Sequence, residues 1–197
     1  MLIAKIVKSN SHVDYVGRVL DRLDSAQPPA PEHYRFAQFV SIPAGAESMV
    51  GVIYNSLLIN PYYDRLGPRL SGPAEMSSVF SPDLIDEQGV LIGLLLVGWV
   101  DAEGKPHQSI PRAIIPANSE VVAMSDSEVR AFHAGRDDRL ALGYYSQVIT
   151  HARQFAPQLL LAVLDQLEAM FEHSSKSEIA VLRRTLNWQM VMQSKTL

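Results

Sequence analysis

Cysteine is absent from the 197-residue sequence, which excludes disulfides, thiolate zinc sites and cysteine nucleophiles together. Also missing is any Gly-x-x-x-x-Gly-Lys-Ser/Thr run, whose backbone amides and lysine would cradle phosphates. There is no Gly-x-Gly-x-x-Gly after a strand and no Gly-x-Ser-x-Gly elbow. Nucleotide hydrolysis by this chain alone is therefore not expected. No strong excess of one charge exists either: 17 Lys and Arg stand against 21 Asp and Glu, a formal charge of -4. A dedicated nucleic-acid binder usually concentrates basic residues on one face, so any nucleic-acid binding is expected to be local or through a partner. The most apolar run, residues 90–100 (VLIGLLLVGWV), is about half the roughly 20 residues that a membrane helix needs. It reads as a buried strand. The N-terminus lacks the basic start, long apolar centre and small-residue cleavage site of a signal peptide. A cytoplasmic protein with no membrane partner is expected.

What is present is typical of a globular chain. The hydrophobic fraction is 47% and the charged fraction 19%, a balance that argues against disorder. The length fits one domain plus an appendage, or two small domains.

The first two-thirds punctuates like a β protein. Residues 2–7 form a β-branched apolar run closed by the polar cluster Lys8-Ser9-Asn10-Ser11. A second strand is expected within residues 12–20, weakened by Gly17. Pro28, Pro29 and Pro31 force a surface loop, because proline lacks the backbone donor and fixes φ. Strands follow over residues 36–42 and 49–59, separated by a turn at 43–46, with Gly51 marking a bulge. Residues 60–82 carry Pro61, Pro68, Pro73 and Pro82 and read as a long irregular loop, a class of segment often tied to function. After the apolar run, residues 101–104 give a turn, residues 121–124 another strand, and Ser125 with Glu128 a capping box for a short helix reaching about His133.

The period then changes. Leu159, Leu160, Val163, Leu164, Leu167, Met170 and Phe171 follow amphipathic helical spacing, with Pro157 suited to the first turn. A connector at 173–177 precedes a second helix carrying Ile179, Leu182 and Leu186 on one face, which makes a helical hairpin. The fold class is mainly β with a helical tail, α+β.

Chemical constellations are sparse. The histidines His12, His33, His107, His133, His151 and His173 show no metal-ligand spacing and read as solvated or capping; no metal and no cofactor is expected. Arg136-Asp137-Asp138-Arg139 could offer a paired carboxylate, but the flanking arginines neutralise it and a solvated turn is the better reading. Tyr62, Tyr63, Arg65 and Arg69 bring aromatic and basic side chains together in the proline-rich loop, the combination on which single strands stack. The stripe Leu160, Leu164, Leu167, Phe171, Leu182 and Leu186 has two meanings: packing on the chain's own body, or an interface for a partner or another copy. No residue is a candidate for catalysis, and a non-enzyme is expected.

The order of these features resembles the HAS-barrel, the small β-barrel shared by HerA-like DNA translocases and ATP synthase catalytic subunits. Ile3-Ala4-Lys5-Ile6-Val7-Lys8-Ser9-Asn10-Ser11 is similar to the first barrel strand and its turn. Val50-Gly51-Val52-Ile53-Tyr54 is similar to the strand in which such barrels carry a glycine between apolar residues. The proline-bounded stretch at 111–116, Glu120-Val121-Val122-Ala123-Met124 and the helix that follows match the later segment. Arg139-Leu140-Ala141-Leu142-Gly143-Tyr144 resembles the lead into the ATPase domain of HerA-like proteins. The resemblance covers residues 1–145 and implies a barrel of about six or more strands, with residues 146–197 as a C-terminal helical hairpin where those proteins carry a P-loop ATPase. It further implies a noncatalytic assembly or adaptor module, forming a homo-oligomer or docking on a separately encoded HerA-like ATPase in DNA processing. The alternative is a barrel that binds a ligand or single-stranded nucleic acid through residues 60–82.

Overall fold

The computed structural model describes residues 1–59, 89–171 and 176–194. The loop at 60–82, with Tyr62, Tyr63, Arg65 and Arg69, lies outside the described residues.

The β-branched and apolar runs form seven antiparallel strands: β1 (Leu2–Ser9), β2 (Asp14–Val19), β3 (Phe39–Ala44), β4 (Glu47–Ile59), β5 (Gly89–Val100), β6 (Pro106–His107) and β7 (Glu120–Ala123). Their order is β2-β1-β7-β3-β4-β5, and β5 pairs back onto β2 from Asp14↔Leu95 to Arg18↔Leu91. The result is a closed six-stranded antiparallel barrel, with β6 added on β5 as an extra strand. Closure gives each of the six barrel strands a paired neighbour on both sides.

The expected turn at 43–46 is tighter than the sequence suggests. Pro43 and Ala44 stay in β3, opposite Ser48 and Glu47, and Gly45 takes the turn's left-handed φ of 69°. The bulge expected at Gly51 is present as a register shift between Val50 and Gly51, and the extra residue is Val97 on β5.

Leu94, Leu95, Leu96 and Val97 are all fully buried, so β5 is covered on both faces. That explains its unbroken apolar run in place of alternation. One face joins the core that the other barrel strands share. The other lies under the helices, where the Gln147 amide donates to the Leu96 carbonyl.

Four α-helices follow: α1 (Asp126–His133), α2 (Tyr145–His151), α3 (Ala156–Met170) and α4 (Lys176–Ser194). Ser125 caps α1 as expected: its hydroxyl accepts from the Glu128 amide, and the Glu128 carboxylate accepts from the Ser125 amide at 2.7 Å. Ser125→Ala removes one half of that exchange and should lower stability by about 1 kcal/mol, measurable as a shift in the urea midpoint at unchanged slope. Helix α2 is short and was not evident from the sequence. It packs on β5, α3 packs on α2 and α1, and α4 packs on α3.

Leu160, Leu164, Leu167, Phe171 and Leu186 are buried in this helical layer and Leu182 is half-buried. As positioned, they pack within the chain and do not face outward. Arg183 of α4 reaches back to Asp165 and to Glu168 of α3, and Arg130 of α1 lies 5.1 Å over the Phe171 ring. Arg136–Asp138 is an exposed single 3-10 turn, in which Asp138 pairs with Arg130 at 2.5 Å.

Candidate functional site

Two places concentrate polar chemistry. The first is an open cleft where β4 passes the junction of α2 and α3. The register of β4 against β5 shifts between Ile53↔Leu94 and Asn55↔Gly93, which leaves Tyr54 as the extra residue of a bulge. Bulges re-aim side chains and favour functional positions. Gly93 makes room for the ring: a Cβ there would stand 3.1 Å from Tyr54 Cε1.

The Tyr54 phenol donates to Asp14 Oδ1 at 2.9 Å, and the Asn10 amide donates to Oδ2 of the same carboxylate at 3.3 Å. Asp14 is held there because it closes the β1–β2 turn, its carbonyl accepting from the amides of Asn10 and Ser11. Burial, then the hydrogen bond to Asp14 and its charge, push the Tyr54 pKa up to about 12, against an opposing effect of Arg153. Tyr54 is thus a fixed neutral hydrogen-bonding group at physiological pH, not a base or a nucleophile.

Across the cleft stands the 3-10 turn Arg153–Phe155 that joins α2 to α3. Arg153 has a φ of 51°, in the left-handed region. Asn10, Asp14, Tyr54, Asn55, Arg153 and Gln154 border a polar half of about 500 Å³. Tyr34, Phe36, Ile53, Leu58, Val90 and Phe155 border an apolar half of about 400 Å³. Tyr54, Asn55 and Phe155 belong to both. Phe36 and Phe155 meet edge to face at 6.5 Å. Volumes of this order suit small-molecule ligands.

The second place is sealed. His133, at the end of α1, is fully buried, which corrects the expectation that the histidines are solvated or capping. Its Nδ1–H donates to the Val129 carbonyl at 2.7 Å, so Nε2 is the acceptor for the Tyr144 hydroxyl at 2.6 Å. Phe39 and Phe132 stand edge-on to the imidazole at 4.9 and 5.1 Å. Burial lowers the His133 pKa to about 4, offset in part by the Val129 carbonyl, and raises that of Tyr144 well above 10. With no access from solvent, the pair joins α1, β3 and the lead into α2 and does no chemistry on a substrate.

Elsewhere, His12 donates to the Pro111 carbonyl at 2.7 Å and His107 bonds Asp101 at 2.7 Å. Among the described residues, no group of three or more His, Asp and Glu side chains is placed to hold a metal ion. No helix among them is long and apolar enough to cross a membrane.

The fold and the cleft together define a closed antiparallel barrel with a helical cover and a mixed polar and apolar groove at their junction. The chain belongs to a family described as a domain of unknown function (DUF8166), whose model matches residues 1–196. No curated protein matches it.

Proposed function

We propose that the chain is a noncatalytic barrel module of the cytoplasm that acts by assembly, with copies of itself or with a separately encoded HerA-like ATPase. The partner class rests on the sequence resemblance to HAS-barrels, with which a closed six-stranded barrel agrees. The observation that carries the assembly reading is the outer end of β4. There the β2–β5 pairing stops at Leu91, while the β4–β5 ladder continues through Leu58↔Val90 and Ile59↔Gly89. Leu57, Leu58 and Ile59 are 56%, 82% and 37% exposed. A two-stranded ribbon is marginal in water without packing partners, and contiguous exposed apolar residues mark interaction surfaces.

Light scattering on the full chain tests this. An oligomer, or a complex with an added HerA-like ATPase, is expected, and Leu58→Asp should dissociate it while leaving the circular dichroism spectrum of the folded chain unchanged. A monomer at every concentration that also ignores the ATPase would defeat the reading.

The cleft favours a second reading, a ligand-binding barrel, with a site on described strands and helices.

A further inference from the structure

The two halves of the cleft differ in a way that selects a ligand. The polar half is bordered by one carboxylate, Asp14, and one guanidinium, Arg153. Each Asp14 oxygen already accepts one hydrogen bond and keeps a lone pair for another. The Tyr54 oxygen, having donated its proton to Asp14, is likewise free to accept. Donors of positive charge are therefore wanted on that side.

Arg153 presents the opposite need. A residue bearing a Cβ adopts a φ of 51° only at a conformational cost, yet among the described residues its guanidinium forms no hydrogen bond or ion pair. Strain held at an uncommitted cation beside a cavity is the pattern of a ligand clamp. The adjoining apolar half, with Phe36 and Phe155 edge to face and Ile53, Leu58 and Val90 around them, has room for one large side chain.

We infer that the cleft binds a free α-amino acid with a large apolar side chain. The ammonium is received by Asp14 and Tyr54, the carboxylate by Arg153, and the side chain by the aromatic half. A zwitterion's two charged groups match the one charge of each sign in the polar half, while Arg35 borders the apolar half. A nucleotide matches the polar half poorly, because a phosphate brings nearly two negative charges beside the Asp14 carboxylate.

This inference rests on the ligand-binding reading above, and the experiment separates their failures. Titration calorimetry on the full chain would use L-phenylalanine, L-leucine, N-acetyl-L-phenylalanine and adenosine monophosphate as probes. L-phenylalanine or L-leucine should bind, and the acetylated form, which lacks the ammonium, should bind at least about tenfold more weakly. Asp14→Asn and Arg153→Gly should each weaken amino-acid binding by about tenfold or more. Arg153→Gly should at the same time raise Tm, since glycine takes the left-handed conformation without strain. That combination distinguishes a lost contact from a damaged fold. Binding of the nucleotide but not the amino acids overturns the ligand class while leaving the ligand-binding reading intact. Amino-acid binding indifferent to both substitutions overturns the site. No heat from any probe overturns both.

Discussion

Gly98→Ala is expected to destabilise the protein by about 3 kcal/mol, since its added Cβ meets the closest contact among the described glycines. A Cβ at Gly98 would stand 2.1 Å from the His107 carbonyl oxygen and 2.9 Å from Phe132 Cζ. The first neighbour is backbone, so no side-chain rotation relieves it. Either β6 leaves β5 or the strand buckles at its bulge. The loss of β6 would carry with it the stack of Trp99 on His107, at 4.8 Å and 12°, and the His107–Asp101 bond. Gly17→Ala provides the contrast, since a Cβ there meets only side chains at 3.4 Å or more, and its cost should be small. Urea unfolding of the two variants beside the parent measures the difference. Equal midpoints for both would mean that β6 is not seated against β5 as described.

The second large effect concerns acid. In the unfolded chain His133 titrates near its ordinary value of 6.5, whereas in the folded protein it does so at about 4. Above pH 6.5 both states hold it neutral and it contributes no pH dependence. Between 6.5 and 4 the unfolded chain takes up a proton that the folded protein refuses, so stability falls as pH falls. Below 4 both are protonated and the loss levels off at about 3 kcal/mol.

Among the described residues, no carboxylate or second cation faces the imidazole to soften this: it meets Phe39, Phe132, the Val129 carbonyl and the Tyr144 hydroxyl. The hydrogen-bonded carboxyls of Asp101 and Glu128 have pKa values lowered from 3.8 and 4.5, so their contributions disappear only at lower pH. Unfolding free energies measured from pH 7 to 4 should therefore decline in the parent. They should run flatter in a His133→Gln variant, which keeps hydrogen-bonding atoms and cannot titrate. The same slope in both would assign the acid sensitivity elsewhere.

Most of the strand order's raw material was legible in the sequence, because β-branched runs and proline punctuation act locally. Six of the seven strands fall in runs that the pattern marks, and the Ser125–Glu128 box caps the helix it announces. The capping signal works because both partners sit within one turn. Helix α2 was not legible: seven residues are too few for a period to emerge, and its fixed point is Gln147, a polar side chain satisfied by a strand 51 residues earlier.

The cleft was invisible for a related reason. Asp14 and Tyr54 are 40 residues apart, and each reads as an ordinary strand residue. The one signal was Gly93, one of two glycines in the apolar run, which marks a close approach, though not which side chain makes it. His133 and Tyr144 meet across a turn whose path only the fold decides. Composition singles out Tyr62, Tyr63, Arg65 and Arg69, because aromatic and basic side chains cluster there in sequence.

The way the barrel closes also sets when the protein can be completed. Strand β1 needs β7, through Leu2↔Val122, and β2 needs β5, through Gly17↔Ile92. On the ribosome the first two strands can pair with each other early, as a lone hairpin of marginal stability. They then wait until about residue 123 has emerged before the cylinder can shut. A barrel stapled between its ends this way has high contact order and folds slowly for its size. During that wait the apolar faces of β4 and β5 are uncovered, which makes the nascent chain a natural client for chaperones.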